Sequence, residues 1–227
     1  IMIAYIPARG GSKRIPRKNI KLLGGRPVLA RVIEVLKSLE FVEKVCVSTD
    51  DLEIQKIAIQ SGAETGELRA KELSDDFVDF ITLIRKDVPR FAGDFTDILF
   101  TLPTAALVQK KHYCEAFEIY KKSTPQLLMA VVDYPISPLW AMQQGTDGFW
   151  KPLHPEAIKK RSQDLPRACT DAGLFHFMKW KEFENHETLM VDRLLVYHVS
   201  DDIAVDVDTL EDWVRLERLY QKQITEK

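Results

Sequence analysis

Between Pro7 and Ile33 the chain places eight Lys or Arg residues and no Asp or Glu, although its overall net charge is -2. The densest part is IPARGGSKRIPRKN, Ile6 to Asn19, where an apolar run enters a glycine hinge crowded with cations. Gly10 and Gly11 permit backbone angles and close approaches that larger residues resist, so their amides can point at phosphate oxygens. Arg9, Lys13, Arg14 and Lys18 supply neutralising charge. The stretch contains no GxGxxG and lacks the GK[ST] ending, which removes the dinucleotide fingerprint and the Walker A loop. A nucleotide triphosphate loop is the chemical reading; a solvated basic loop or a nucleic-acid arm is the alternative.

A second cluster lies near the other end, in AVDVDTLEDW. Asp206 and Asp208 alternate with Val205 and Val207, which puts both carboxylates on one face of an extended segment. Two carboxylates completed by phosphate oxygens and water suit Mg2+, although Asp208 is also placed to cap the helix that follows. Asp50 and Asp51 follow an apolar run, where open α/β sheets put ligand-facing loops; capping a helix is the simpler role for Asp51.

The elements that must position these residues read as an α/β domain on a mostly parallel sheet, because short apolar runs alternate with longer helical patterns. Strands are expected at Met2–Ile6, Val45–Ser48, Ile98–Thr101, Leu127–Val132 and Leu195–Val199. Helices are expected at Val28–Glu40, Leu52–Ser61 (stopped by Gly62), Phe77–Phe91, His112–Ser123 and Thr209–Tyr220. With 227 residues, 45% of them hydrophobic, one core suffices, and a single domain over 1–227 is the expectation. The segment 133–167 breaks the rhythm with five prolines, the glycines of QQGTDG and the exposed-looking Trp140 and Trp150, and reads as an insertion. Cys46, Cys114 and Cys169 are widely spaced with no CxxC, which argues against a disulfide framework or a zinc site and fits a reduced cytoplasm; Cys46 reads as a core residue. The apolar start is too short for a secretory leader and no run reaches membrane-spanning length, so no membrane partner is expected.

The stretch Ile6 to Asn19 resembles the N-terminal signature of the cytidylyltransferases that activate nine-carbon acidic sugars, the sialic acid synthetase family. That resemblance implies a three-layer, Rossmann-like nucleotidyltransferase fold. It implies a nucleotide site built from Ala8, Arg9, Gly10, Gly11, Ser12, Lys13, Arg14, Lys18 and Asn19, with Arg69 and Ser74 of LRAKELSDD bordering the cytidine. Thr104 of PTAAL is a further candidate contact to base or sugar. The family carries the same Asp-x-Asp before its last helix and uses it for metal, which assigns Mg2+ to Asp206 and Asp208. RSQDLPRACTDAGLF, Arg161 to Phe175, is similar to the RSQDL then DAG pattern of the pseudaminic acid enzymes. Arg161 then holds a substrate carboxylate, and Gln163, Asp171 and His176 join it in the sugar site. Leu102, Ala106 and Val108 depart from the glutamine, proline and arginine common in neuraminic acid enzymes. The family's equivalent of 133–167 crosses to a second subunit, which implies a homodimer.

The expected reaction is attack by the C2 hydroxyl of a nonulosonic acid on the α-phosphate of CTP, giving a CMP-sugar and pyrophosphate. Arg9, Lys13, Lys18 and Asp208 carry the catalysis, and the general base is open. Legionaminic, neuraminic or 3-deoxy-octulosonic acid are alternative substrates. In a different class, the basic loop would bind RNA without catalysis; the acidic remainder of the chain and the lack of an aromatic RNA-reading motif speak against that, and no nucleic-acid partner is expected.

Overall fold

In the computed structural model, residues 1–74, 78–91 and 93–226 are described. One seven-stranded sheet runs through the chain. Its strands are β1 (Met2–Pro7), β2 (Val42–Ser48), β3 (Glu64–Thr65), β4 (Asp97–Thr101), β5 (Leu127–Asp133), β6 (Cys169–Lys179) and β7 (Leu194–His198). Their spatial order is β7-β5-β6-β4-β1-β2-β3. β6 is antiparallel to both its neighbours, while the other pairs run parallel. The expected mostly parallel sheet is therefore present, and the short edge strand β3 and the long central strand β6 are the two that the pattern of apolar runs did not disclose.

For β6 the reason lies in the strand itself. Its stretch Leu174 to Met178 is buried on both faces of the sheet, so no alternation marks it. Its pairing with β5 also breaks: Asp171 opposes Val131 and His176 opposes Met129, so five steps on β6 match two on β5. Gly173, at φ +63°, takes the left-handed conformation within that bulge.

The helices are α1 (Val28–Lys37), α2 (Leu52–Gln60), α3 (Phe80–Asp87), α4 (Lys110–Ser123) and α5 (Leu210–Thr225). α1 buries Leu29, Val32, Ile33 and Leu36 against the sheet and Val28 against Val205, Val207 and Trp213, each worth about 1.5–3 kcal/mol if wholly withdrawn from water. α2 begins where expected: the Asp51 carboxylate accepts from the Glu53 and Ile54 amides, and Gly62 at φ +85° ends it. The helix expected from Phe77 starts at Phe80 among the described residues and tightens into a 3-10 turn at Val88–Arg90; Phe77 itself, like Asp75 and Asp76, lies outside them. Beneath that helix, the fully buried Asp87 accepts from the Tyr5 hydroxyl at 2.5 Å and from Arg90 Nε at 2.7 Å. Burial, and then the Asp87 charge, push the Tyr5 hydroxyl well above its ordinary range, so it stays a donor. Cys46 is a core residue as expected, its thiol raised to about 12 by burial.

Between β5 and β6, residues 133–167, called the lobe, hold a two-stranded hairpin of their own, Met142–Gln144 and Trp150–Pro152, apart from the main sheet. Trp150 is exposed, but Trp140 is half-buried and donates its indole N–H to the Ala157 carbonyl within the same lobe. Arg167 and Asp133 pair at the two roots of the lobe, and His198 Nδ1 lies 2.9 Å from the same Asp133.

Candidate active site

The chain leaves β1 for α1, on the side of β2, whereas β4 flanks β1 on its other side. In open parallel sheets the ligand crevice forms at such a switch, beyond the carboxyl ends of the strands. A cavity of about 270 Å³ opens there. Pro7 and Arg9 follow β1 into it, and Leu102, Pro103 and Thr104 follow β4. Of the residues read from sequence, Arg9, Ser12, Lys13, Arg14, Lys18, Asn19, Arg69, Ser74, Thr104, Asp206 and Asp208 line this cavity.

The loop is fixed from below. Asn19, 5% exposed, donates its side-chain amide to the Arg9 carbonyl at 2.9 Å. Arg17, at φ +56°, turns away from the cavity to bond Asp51 and Glu53. Ala8 is wholly buried and gives its amide to the Ser48 carbonyl. Gly10 donates its amide to Asp50 Oδ1 at 2.9 Å, so that N–H serves the loop's own shape in place of a phosphate. Gly10 is required for space: a Cβ there would stand 2.7 Å from Asp51 Oδ2, whereas one on Gly11 would meet nothing within 4 Å. Ala8, Gly10 and Gly11 therefore shape the loop without lining the cavity, a division that composition alone does not reveal.

The two distant clusters meet across the cavity. Val205 and Val207 are buried, 2% and 0% exposed, and Asp206 and Asp208 alternate with them toward the open side. Asp208 lies 3.1 Å from Arg14 and 3.6 Å from Lys18, whose ammonium also donates to the Val207 carbonyl. Asp208 is not the helix cap. Thr209 caps α5 in a reciprocal arrangement with Asp212, which leaves the Asp208 carboxylate to the cavity. Partial burial, and next the Asp208 charge, raise the Asp206 carboxyl above its ordinary range, against the pull of Lys18. A group with a raised folded-state pKa stabilises the fold at low pH and loses that contribution as pH rises through the carboxylate range. Asp206→Asn is therefore expected to raise the unfolding temperature at neutral pH without divalent cations, and to reduce the further rise expected on adding Mg2+ to the parent chain. A thermal shift series with and without Mg2+ checks this; a lower unfolding temperature in the cation-free variant would contradict it.

Arg69 forms the opposite wall. It is 4% exposed, its amide donates to the Thr49 carbonyl, and its Nε donates to Ser74 Oγ at 3.1 Å. One terminal guanidinium nitrogen is buried without a hydrogen-bond partner among the described residues, in a side chain that lines the cavity, a donor suited to an acceptor on a ligand. Thr104 is buried and does not cap the next helix, since Gln109 and His112 cap α4. Val78 and Leu83 add an apolar wall that sequence reasoning passed over; the helical stripe of α3 was its available signal.

The residues expected around a sugar separate into two groups. Asp171 and His176 sit on β6, bonded to each other at 2.8 Å and beside Asp206. Arg161 and Gln163 stand exposed on the lobe, and none of the four lines the cavity; Arg161 pairs with Asp164 through Nε at 2.8 Å. The Asp206–Asp208 pair fits a hard cation in donor type, but among the described residues no group of three or more His, Cys, Asp or Glu could hold a metal. A cation there needs oxygens from a ligand or water as well.

Loop cations facing a carboxylate pair, at the carboxyl edge of a mostly parallel sheet, make this an α/β transferase of the nucleotide-handling kind. Solved structures share the fold: CMP:2-keto-3-deoxy-manno-octonic acid synthetase complexed with CTP matches with a TM-score of 0.71 at 12% identity, over 98% of this chain and 99% of that one. A 4-diphosphocytidyl-2C-methyl-D-erythritol synthase from Anaerococcus prevotii matches with a TM-score of 0.63 at 11% identity, over 97% and 98%. Residues 3–139 match the family model described as cytidylyltransferase, and the chain belongs to that family. A pseudaminic acid cytidylyltransferase of Campylobacter jejuni is 29% identical over 96% of both chains. A CMP-N,N'-diacetyllegionaminic acid synthase of Legionella pneumophila is 29% identical over 97% of this chain and 96% of its own. N-acylneuraminate cytidylyltransferase A of Danio rerio is 32% identical over 92% of this chain and 48% of its own length. The chain is thus a nucleotidyltransferase, and the RNA-binding reading, which rested on the basic loop alone, has no further support. No helix among the described residues is long and apolar enough to cross a membrane.

Proposed function

We propose that this cytidylyltransferase condenses CTP with a nonulosonic acid, in the first place pseudaminic acid, releasing pyrophosphate and a CMP-sugar. The observation that carries the reading is the convergence of the loop cations and the Asp206–Asp208 pair on one cavity, in a chain aligned almost end to end with a pseudaminic acid cytidylyltransferase. The DAG of Asp171 to Gly173 favours the same sugar. An equally extensive alignment with a legionaminic acid enzyme supports that acid as the second reading.

In this mechanism Arg9, Lys13, Arg14 and Lys18 hold the triphosphate and orient the α-phosphorus. The sugar's C2 oxygen forms a bond to that phosphorus as the bond to the bridging oxygen breaks. The hydroxyl proton leaves, and pyrophosphate departs with the electron pair. Fixed charges aimed at the phosphate oxygens lower the barrier by positioning and electrostatics, with no covalent intermediate on the protein. Asp206 and Asp208 are the residues that would hold Mg2+, which supplies charge neutralisation at those oxygens. Arg69 offers its unpartnered guanidinium N–H to a carbonyl or ring-nitrogen acceptor of cytosine.

The lobe favours a homodimer. Ile136, Phe149 and Trp150 are 69%, 71% and 62% exposed, an apolar surface of the kind buried at interface cores. Arg161 and Gln163 travel with it, so a second copy that receives the lobe would also receive them as sugar contacts. A soluble, cytoplasmic enzyme fits these features.

Pyrophosphate release from CTP and Mg2+ tests the reading, with pseudaminic, legionaminic, neuraminic and 3-deoxy-octulosonic acids offered separately. Release with pseudaminic acid, and much less with the others, is the expected result. Release with legionaminic acid alone would install the second reading, and release with none while CTP still binds would overturn both.

A further inference from the structure

His176 was expected to touch a sugar, but it does not line the cavity. It is 4% exposed and packs against a touching pair of rings, Phe100 near-parallel at 6.0 Å and Phe80 edge-on at 5.5 Å, whose own centroids are 3.8 Å apart. Its only hydrogen-bond partner among the described residues is Asp171, at 2.8 Å from Nε2 to Oδ2; its buried Nδ1 has none. Residues five apart on a regular strand point to opposite faces. The bulge in β6 cancels that parity, because the facing residues, Val131 and Met129, are two apart on β5 and share a face. The irregularity thus creates the contact.

The second Asp171 oxygen accepts the Gly173 amide at 2.9 Å. Burial raises the Asp171 carboxyl, but the hydrogen bonds from His176 and from the Gly173 amide hold the group below its ordinary range. An ionised carboxylate only accepts, so the proton of the shared hydrogen bond is on Nε2. Leaving Nδ1 unprotonated then buries a lone pair instead of an unpaired N–H. Asp171 keeps 37% of its side chain exposed and lies close enough to Asp206, on the cavity wall, to raise its pKa.

We infer that His176 is a positioning residue, whose Nε2–H locks the partly exposed Asp171 carboxylate near Asp206 of the cavity wall, with its remaining lone pairs aimed at a hydroxyl or amide N–H donor of the acidic sugar. The inference rests on the proposed function for the identity of that donor, but not for the His176–Asp171 pairing. Each oxygen is tied by one donor, so the carboxylate cannot rotate without losing both bonds. A substrate lacking the matching donor leaves a desolvated acceptor unpaired, a large source of discrimination.

The test compares H176F, which keeps an aromatic ring against Phe80 and Phe100 but removes the donor, with H176Q, whose amide nitrogen can reach the place of Nε2. H176F is expected to lower kcat/KM for the acidic sugar about tenfold or more, while the KM for CTP stays within about twofold. H176Q is expected to recover most of the loss, and H176F placed on D171N should cost little beyond D171N alone. Additive losses, an equal effect on CTP, or a Gln variant as impaired as the Phe variant at equal unfolding temperature would overturn the inference. Imidazole 15N spectra separate this from failure of the function itself. An Nε2–H signal in the parent chain that shifts in D171N supports the pairing whatever the substrate, and a ring protonated on Nδ1 alone refutes it.

Discussion

Asp208→Asn is expected to lower turnover at least about a hundredfold, roughly 2.7 kcal/mol of transition-state stabilisation, with the fold nearly unchanged. The fold should survive because Asp208 does not cap α5; Thr209 and Asp212 do. The substitution keeps shape and removes one charge at the point where Arg14 and Lys18 converge. It also frees those two cations from their internal counter-charge, so binding of pyrophosphate or CTP without Mg2+ should hold or tighten while catalysis falls. Steady-state pyrophosphate release across a Mg2+ titration, with calorimetric CTP binding beside it, reads both. Near-normal Mg2+-dependent turnover would remove Asp208 from the catalytic centre.

Gly173→Ala should damage both stability and turnover. At φ +63° an alanine pays about 1–2 kcal/mol for the left-handed backbone, which corresponds to roughly 2–8 °C in Tm for a chain of this size. Its methyl would also stand 2.9 Å from Asp206 Cγ and 3.1 Å from Oδ2, and the carboxylate must move. Turnover should therefore fall about tenfold or more, with a higher Mg2+ requirement. Thermal unfolding and a Mg2+ titration check the two parts separately; a parent-like Tm would mean that the bulge relaxes without strain, and a parent-like Mg2+ requirement that Asp206 is not displaced.

Much of this site was legible in the sequence because its parts obey local rules. The Val-Asp alternation at 205–208 survives as buried and outward residues, and the cations of the loop all reach one cavity apart from Arg17 among those between Arg9 and Lys18. The helix cap at Asp51 and the stop at Gly62 followed from residue type alone. What stayed hidden depends on contacts between distant segments. Gly10 is glycine because of Asp51, forty-one residues away, and Gly173 because of Asp206. β6 escaped notice because burial on both faces erases its period and a bulge interrupts it. Arg161 and His176 carry the right chemistry, yet one lies outside the chain's own cavity and the other beneath its rim.

β6 also governs when the sheet can close. It alone joins β4 to β5, so without it the ladder falls into a four-stranded piece, β4-β1-β2-β3, and a two-stranded piece, β5-β7. During synthesis the chain must emerge past Lys179 before β5 can be joined to the four-stranded piece, and until then β4 presents one unpaired edge and β5, whose other neighbour β7 comes later still, presents two. A nascent chain stalled inside the lobe would be held open at its centre, not merely short at its end. The protein's most exposed moment in the cell thus falls late in translation, when a chaperone that masks sheet edges has most to offer it.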